Sequence, residues 1–342
     1  MHSKDKTGYI FSNIGSPSSA TYWGVWKYLA EFLMDENVID IPALGRALLV
    51  YGIILPKRTH KSLEAYQSIW EDDGSPLLSI SRDFATKVSE RFDIPVKLGM
   101  RYGKLSLESA IRDFEREGVT KIVVVPMYPQ YAMATTLSVE KEVARCVQKH
   151  RIQTPIEMMQ PFYKHPKYIA SLTNRLETEL NRAHYDHVLF SYHGVPVRQL
   201  EKMDRSGTHC MASAECCETV DPEIGKYCYR HQVLDTTRLV TESLSAGHPP
   251  VSLSFQSRLG NDVWTTPATT DVLDDLAAKG VKRLLILSPA FVADCLETLE
   301  ELAIEGKEQF LAAGGEELHC LPCLNSGDDW VAAFGHILTE LH

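Results

Sequence analysis

Short apolar runs rich in β-branched residues alternate with amphipathic stretches of helical period through most of the chain. That alternation is the signature of βα units wound around a parallel sheet, and it leaves few other folds open. The expected strands are Gly8 to Ile14, Pro95 to Met100 and Lys121 to Pro126, then His187 to Tyr192, Val251 to Phe255, Arg283 to Leu287 and Glu317 to Leu321. Between them lie the expected helices Leu107 to Glu117, Lys167 to Ala183, Asp271 to Lys279 and Leu296 to Phe310. Each half of the chain carries a strand, a long excursion and then further βα units, although no residue-by-residue repeat is visible. At 342 residues the chain exceeds what one core comfortably serves. The reading is therefore an α/β protein of two similar doubly wound domains, each a parallel sheet flanked by helices. The first covers 1–155, joined by a C-terminal helix at 326–342, and the second covers 156–325 with a cysteine-rich insertion at 205–230.

In such sheets ligands bind beyond the carboxyl ends of the strands. The distinctive clusters fall there: Asn13-Ile14-Gly15-Ser16-Pro17, Tyr128-Pro129-Gln130-Tyr131, His193-Gly194, Gln256-Ser257-Arg258, and Pro289 to Asp294. Five strand ends are expected to meet at one cleft. None carries a Gly-x-Gly-x-x-Gly turn or a Walker-type Gly-Lys-Ser/Thr, so nucleotide binding loses its usual warrant. The formal charge of -10 and the absence of a Lys/Arg-rich run argue against nucleic acid. Met1 to Thr7 lacks a signal peptide's apolar stretch, so the expected location is the cytoplasm. The longest strongly apolar run, Ala47 to Leu55, is far shorter than the roughly 20 residues needed to span a bilayer. Followed by Lys57 and Arg58, it reads either as a lip touching a membrane surface or as a buried helix of the first domain.

His193 ends a strand, where an imidazole serves equally as a structural hydrogen-bonding group or as a proton acceptor titrating near neutrality. Glu297, Glu301 and Glu305 recur every fourth residue of an expected helix, which at about 100° per residue lines three carboxylates along one stripe. Facing water, the stripe is an ordinary acidic surface near a helix N-terminus. Packed into a cleft, it favours a cation or a shared proton. Eight cysteines suggest reduced thiols or metal ligation in a cytoplasmic chain. Four of them, Cys210, Cys216, Cys217 and Cys228, share one polar segment. Cys320-Leu321-Pro322-Cys323 admits a thioredoxin-like reading, but the pair does not open a helix near the start of its fold, and two packed thiols are expected instead.

Ser191-Tyr192-His193-Gly194-Val195-Pro196, then Phe255-Gln256-Ser257-Arg258-Leu259-Gly260 with Trp264 and Pro267, then Phe291-Val292-Ala293-Asp294-Cys295-Leu296-Glu297-Thr298-Leu299-Glu300-Glu301 resemble the three signatures of ferrochelatases, in the family's order. Weaker matches at Asn13, Gly74-Ser75-Pro76, Tyr128 to Tyr131 and Leu324-Asn325 extend the likeness over nearly the whole chain. The resemblance implies insertion of Fe2+ into protoporphyrin IX with release of two protons, the last step of haem biosynthesis. It implies His193 as proton acceptor and metal ligand, Glu297 as metal and proton ligand, and Glu301 and Glu305 as a relay leading away toward solvent. Arg58, Tyr66, Ser75, Tyr131, Ser257 and Trp264 would contact the porphyrin. Ile14 stands where coproporphyrin-type members tend to carry tyrosine, which points to protoporphyrin.

Hard carboxylate oxygens with one imidazole suit an enzyme that must surrender its metal. The four-cysteine segment is longer than in common members of the family. It matches the ligand count of a [2Fe-2S] cluster, which some bacterial members carry. Its Cys-x5-Cys-Cys-x10-Cys spacing lacks the close pairs of most structural zinc sites, leaving zinc second and unligated thiols third. A monomer is expected, with peripheral contact at the inner membrane surface. The rival functions are a cobalt, nickel or coproporphyrin chelatase, and a haem or iron-sulfur redox protein without chelatase activity.

Overall fold

The strand-forming runs assemble into two four-stranded parallel sheets. The computed structural model describes residues 6–213, 215–258, 260 and 262–340. Met1 to Asp5, Leu259 of the second signature, and Leu341-His342 of the expected C-terminal helix lie outside the described residues. The first sheet comprises β1 (Thr7–Ser12), β2 (Val96–Leu98), β3 (Lys121–Pro126) and β4 (Ile156–Met158) in the order β2-β1-β3-β4. The second comprises β5 (His187–His193), β6 (Val251–Gln256), β7 (Arg283–Leu287) and β8 (Glu317–Cys320) in the order β6-β5-β7-β8. Both sheets thus reverse direction between their first and third strands, which is the topological switch of a doubly wound fold.

The central strands are near-continuous apolar runs because helices cover both faces of a parallel sheet. Ile122, Val123, Val124 and Val125 are completely buried, as are Val188, Leu189 and Phe190. The expected strands lie where the pattern puts them, with ends differing by one or two residues. The edge strand β4 was not expected, since three residues bounded by Pro155 carry too little periodicity to read.

The chain divides into two compact units. The first holds Met1–Tyr128, Met133–Pro161 and Asn325–His342, and the second holds Pro129–Ala132 and Phe162–Leu324. Within the first, the terminal helix Asp328–Glu340 packs against the helix Pro76–Phe92. Phe334 meets Phe11 edge-on at 5.5 Å and Phe84 at 5.3 Å, while Trp330 stacks on Phe84 at 6.2 Å. Gly335 permits that approach, because a Cβ there would lie 1.9 Å from the Phe92 ring.

One expected helix differs in kind. Glu297–Gly306 is π-helical, and α-helix resumes only at Lys307–Ala312. Bonding from i to i+5 widens the turn, and carboxylates four apart still fall on nearly the same face. Leucine and glutamate spacing cannot distinguish the two forms, because both bury positions three to five apart.

Candidate functional site

His193 is the last residue of β5, paired in register with Gln256 at the end of β6. Its ring Nδ1 lies 2.7 Å from the carbonyl of Gly194. A carbonyl only accepts, so Nδ1 carries the hydrogen and the lone pair of the neutral ring resides on Nε2. Among the described residues no group hydrogen-bonds Nε2. The adjoining peptide is held at both ends: Tyr229 donates its phenol hydrogen to the His193 carbonyl at 2.8 Å, and the Gly194 N–H donates to the Gln256 carbonyl at 2.8 Å. Glycine at 194 follows from crowding, since a Cβ would meet the Gln256 carbonyl at 2.8 Å and the Trp264 ring at 3.4 Å. Phe291, on the loop after β7, approaches the imidazole edge-on at 6.4 Å.

Gln256 is buried and fully engaged. Its Oε1 accepts from Ser191 Oγ at 2.6 Å, and its Nε2 donates to the Glu297 carbonyl at 3.3 Å, joining β5, β6 and the start of the π-helix. Ser257 follows with φ at +67°, a left-handed conformation that costs a non-glycine residue roughly 1–2 kcal/mol. That geometry turns both its N–H and its hydroxyl onto Glu301. The N–H reaches Oε1 at 2.7 Å and the hydroxyl bonds Oε2. Burial pushes the Glu301 carboxyl above the usual carboxylate range, opposed by the Ser257 bonds and the nearby His193, and reinforced by the charge of Glu297. Glu297 and Glu301 are half-buried, whereas Glu305 is exposed. The structure therefore gathers His193, Ser257, Glu297 and Glu301 at the carboxyl end of the second sheet, with Trp264 beside Gly194.

Asp294, buried, accepts from Thr298 Oγ1 at 2.9 Å and from the Cys323 N–H at 3.2 Å, anchoring the loop that leads into the π-helix. Burial keeps Cys295, Cys320 and Cys323 protonated, with Cys320 pushed up to about 12. Such thiols are poor nucleophiles.

The four cysteines of the insertion converge. Cys216, Cys217 and Cys228 are buried together, with Cys210 and Leu234 packed against them. Cys216 and Cys217 sulfurs are 3.9 Å apart, and Cys228 interacts with both Cys210 and Cys217. No three of these sulfurs lie mutually within 4.8 Å. Tetrahedral zinc with Zn–S bonds of about 2.3 Å would bring all four within about 3.8 Å of one another. The four sulfurs could together supply a metal or a cluster with four soft ligands. Arg230 donates to Cys217 Sγ at 3.3 Å and to Cys216 Sγ at 3.8 Å. Asp204 organises the approach by accepting the backbone N–H groups of Ser206, His209 and Cys210 at 2.8 to 2.9 Å. Those bonds hold its carboxyl well below the usual range against the opposing effect of burial.

Tyr131 belongs to the second unit. It is buried, its N–H donates to Gln232 Oε1 at 2.7 Å, and its ring meets Tyr227 edge-on at 5.2 Å. In the first unit Ile14 is half-buried beside the core that includes Tyr128, Arg58 is exposed, and Ser75 is buried where the helix Pro76–Phe92 begins. Tyr66 is buried between Tyr28 and Trp70. Sequence reasoning passed over Gln256 as a network residue and Tyr229 altogether. Gln256 was at least visible inside a signature, whereas nothing local to Tyr229 distinguishes it from a core tyrosine.

Two four-stranded parallel sheets flanked by helices make a chelatase-like fold. SirB from Bacillus subtilis with Fe3+ superposes with a TM-score of 0.56 at 12% identity, covering 98% of this chain and 95% of that one. A sirohydrochlorin chelatase SirB in complex with cobalt gives 0.50 at 13% identity, covering 78% of this chain and 91% of that one. These likenesses concern the fold. A sequence model of the family described as Ferrochelatase matches residues 6–341. Ferrochelatases of Ectopseudomonas mendocina and Azotobacter vinelandii are 44% and 43% identical, over 95% and 96% of this chain and 95% and 97% of theirs. The chain belongs to the ferrochelatase family.

Proposed function

We propose that this enzyme inserts Fe2+ into protoporphyrin IX, forming four iron–nitrogen bonds and releasing the two pyrrole protons. The observation that carries the mechanism is the commitment of His193 Nδ1–H to the Gly194 carbonyl, which keeps the Nε2 lone pair available for a proton or the metal. Glu297 supplies an oxygen donor and proton acceptor beside it. Glu301, whose proton affinity burial has raised, takes the next proton, and exposed Glu305 releases it to water. Carboxylates and one imidazole bind iron without the thiolate grip that would retain it. Trp264 offers an apolar wall for the macrocycle, and Ile14, Arg58, Tyr66, Ser75, Tyr131 and Ser257 complete the proposed porphyrin contacts. Anaerobic iron insertion, followed by loss of porphyrin fluorescence, tests the reading. His193→Ala should lower kcat by about 100-fold or more at unchanged circular dichroism, and retention of a tenth of the rate would remove His193 from the role.

For the four cysteines we propose a [2Fe-2S] cluster bound by Cys210, Cys216, Cys217 and Cys228. The segment around them is mostly turns and exposed side chains, and its small core consists of the thiols and Leu234. Metal binding supplies the folding free energy that such a segment lacks. Protein purified without oxygen should be reddish-brown with about two irons and two sulfides per chain. One zinc and no sulfide would overturn the assignment.

A peripheral membrane contact is proposed for the region of Ala47 to Leu55. No helix among the described residues is long and apolar enough to cross a membrane. Val50 and Leu55 are buried, while Leu48, Tyr51 and Ile53 are 47–67% exposed beside Trp23 at 65%, and Lys57 and Arg58 are exposed nearby. An apolar patch rimmed by basic side chains suits an anionic interface.

A further inference from the structure

The face of the second sheet that carries His193 is apolar at one end and polar at the other. Side chains two apart on a strand share a face, so Leu189, Ser191 and His193 of β5 lie on the same side. Ser254 and Gln256 of β6 pair in register with Ser191 and His193 and join them there. Leu189 shares a core with Leu273 and Leu276 of the helix Thr269–Ala278. Toward the carboxyl end of the strands that core gives way to three buried hydroxyls, those of Ser191, Ser254 and Thr269, the first residue of the same helix. Burying a hydroxyl costs free energy unless it is hydrogen-bonded, and here each one is. Ser254 Oγ lies 2.8 Å from Thr269 Oγ1, which lies 2.9 Å from Ser191 Oγ, which lies 2.6 Å from Gln256 Oε1.

With one hydrogen per hydroxyl, the chain has a direction. Gln256 Oε1 only accepts, so Ser191 donates to it, Thr269 donates to Ser191 and Ser254 donates to Thr269. That polarity leaves Gln256 Nε2 facing the Glu297 carbonyl, to which it donates at 3.3 Å. The opposite amide orientation would set Oε1 against that carbonyl, acceptor against acceptor. It would also reverse the chain and leave the Ser254 hydrogen without a partner among the described residues. Gln256 ties down the other half of the site as well, since its backbone carbonyl accepts the Gly194 N–H at 2.8 Å. His193 and Glu297 are therefore spaced through one residue. An apolar layer of the same shape would serve the sheet equally well, so the fold alone does not call for the hydroxyls. We infer that Thr269 is a positioning residue for iron insertion: acting through Ser191, its hydroxyl holds the Gln256 amide in the orientation that sets Glu297 against His193. This rests on the reading of His193 and Glu297 as the metal and proton ligands. A misplacement of about 1 Å at a reacting group costs about 100-fold in rate, so a loosened Gln256 reaches the chemistry.

The test compares Thr269→Val, which keeps the branched shape and removes the hydroxyl, with Thr269→Ser, which keeps the hydroxyl and removes the methyl. Anaerobic iron insertion into protoporphyrin IX is measured at a temperature where circular dichroism shows each protein folded. Thr269→Val should lower kcat at least about fivefold, the scale of one hydrogen bond, with KM for porphyrin within about twofold of wild type. Thr269→Ser should keep at least about half of the wild-type kcat, although its urea midpoint falls through the lost methyl. Rate then follows the hydroxyl and stability the methyl, a division that scaffolding alone does not produce. Ser191→Ala should reproduce the Thr269→Val loss, and the double variant should lose less than about twofold more, because both act through Gln256. Thr269→Val within about twofold of the wild-type kcat, Thr269→Ser as slow as Thr269→Val, or losses that multiply in the double variant would overturn the inference. If Thr269→Val does not fold, Ser191→Ala decides alone, and an unchanged rate there overturns it. Glu297→Gln separates the premise from the inference: full activity in that variant removes Glu297 from the site, and the failure then belongs to the reading of the ligands.

Discussion

Ser257 pairs an unfavourable backbone conformation with two hydrogen bonds to Glu301, a combination expected where the position of a carboxylate matters more than local stability. Its motif was legible in the sequence, but the positive φ was not, because serine seldom adopts it and only the approach of the π-helix rewards it. His193 was legible for the opposite reason: a strand end and a flanking glycine are local features. Asp35 is a residue that only the structure reveals. It is buried and accepts from Ser138 Oγ at 2.6 Å, the Asn37 N–H at 2.7 Å, Tyr102 at 2.9 Å and Arg101 at 2.5 Å. Burial alone would raise its pKa, but these bonds and the Arg101 charge prevail and lower it below 3.8. A depressed folded value means stability that is present above the unfolded value and lost as pH falls through the folded one. Asp35→Asn, which leaves Arg101 without its counter-charge, should cost about 3–5 kcal/mol at pH 7. Urea midpoints measured from pH 7 down to pH 3 should show the gap to wild type narrowing in acid, and a constant gap would mean that Asp35 is not ionised in the fold.

At the scale of elements, the run Glu297–Gly306 holds the carboxylates of the proposed relay, and its π-helical form was invisible to periodicity. Widening the turn lets the element present Glu297 and Glu301 toward the ends of β5 and β6 while Leu302 stays in the core. The order of exposure along the run makes a ranking testable. Glu297→Gln should reduce kcat by at least about tenfold, since it removes a donor beside the histidine, whereas Glu305→Gln should change it by less than about threefold. Steady-state rates in the opposite order would refute a relay that runs outward from Glu297. The helix Tyr229–Ser243 teaches the complementary lesson. Its cysteine cap was conspicuous in the sequence, yet its contact with His193 links residues 36 apart and depends on how the insertion folds back.

On the scale of the whole molecule, Trp23, Leu44, Leu48, Tyr51 and Ile53 are exposed and can be altered without disturbing a core. Leu48→Glu with Ile53→Glu should reduce co-sedimentation with anionic phosphatidylglycerol vesicles severalfold while leaving the unfolding midpoint within about 0.5 kcal/mol of wild type. Unchanged sedimentation would exclude the patch as the contact. The sequence had left Ala47 to Leu55 open between lip and buried helix, and the structure divides it residue by residue, burying Val50 and Leu55 and exposing Leu48, Tyr51 and Ile53. What the sequence determined by itself is whatever is periodic or contiguous: seven of the eight strands, the doubly wound class, the strand-end positions of His193 and Ser257, and the grouping of four cysteines. Tertiary structure alone decided the π-helical turn, the hydrogen of His193 on Nδ1, the raised proton affinity of Glu301 and the bond from Tyr229. The affinity of Glu301 and the bond from Tyr229 depend on groups distant in the chain but adjacent in space, whereas the Nδ1 hydrogen answers to the neighbouring Gly194 carbonyl in a ring orientation that no local pattern encodes.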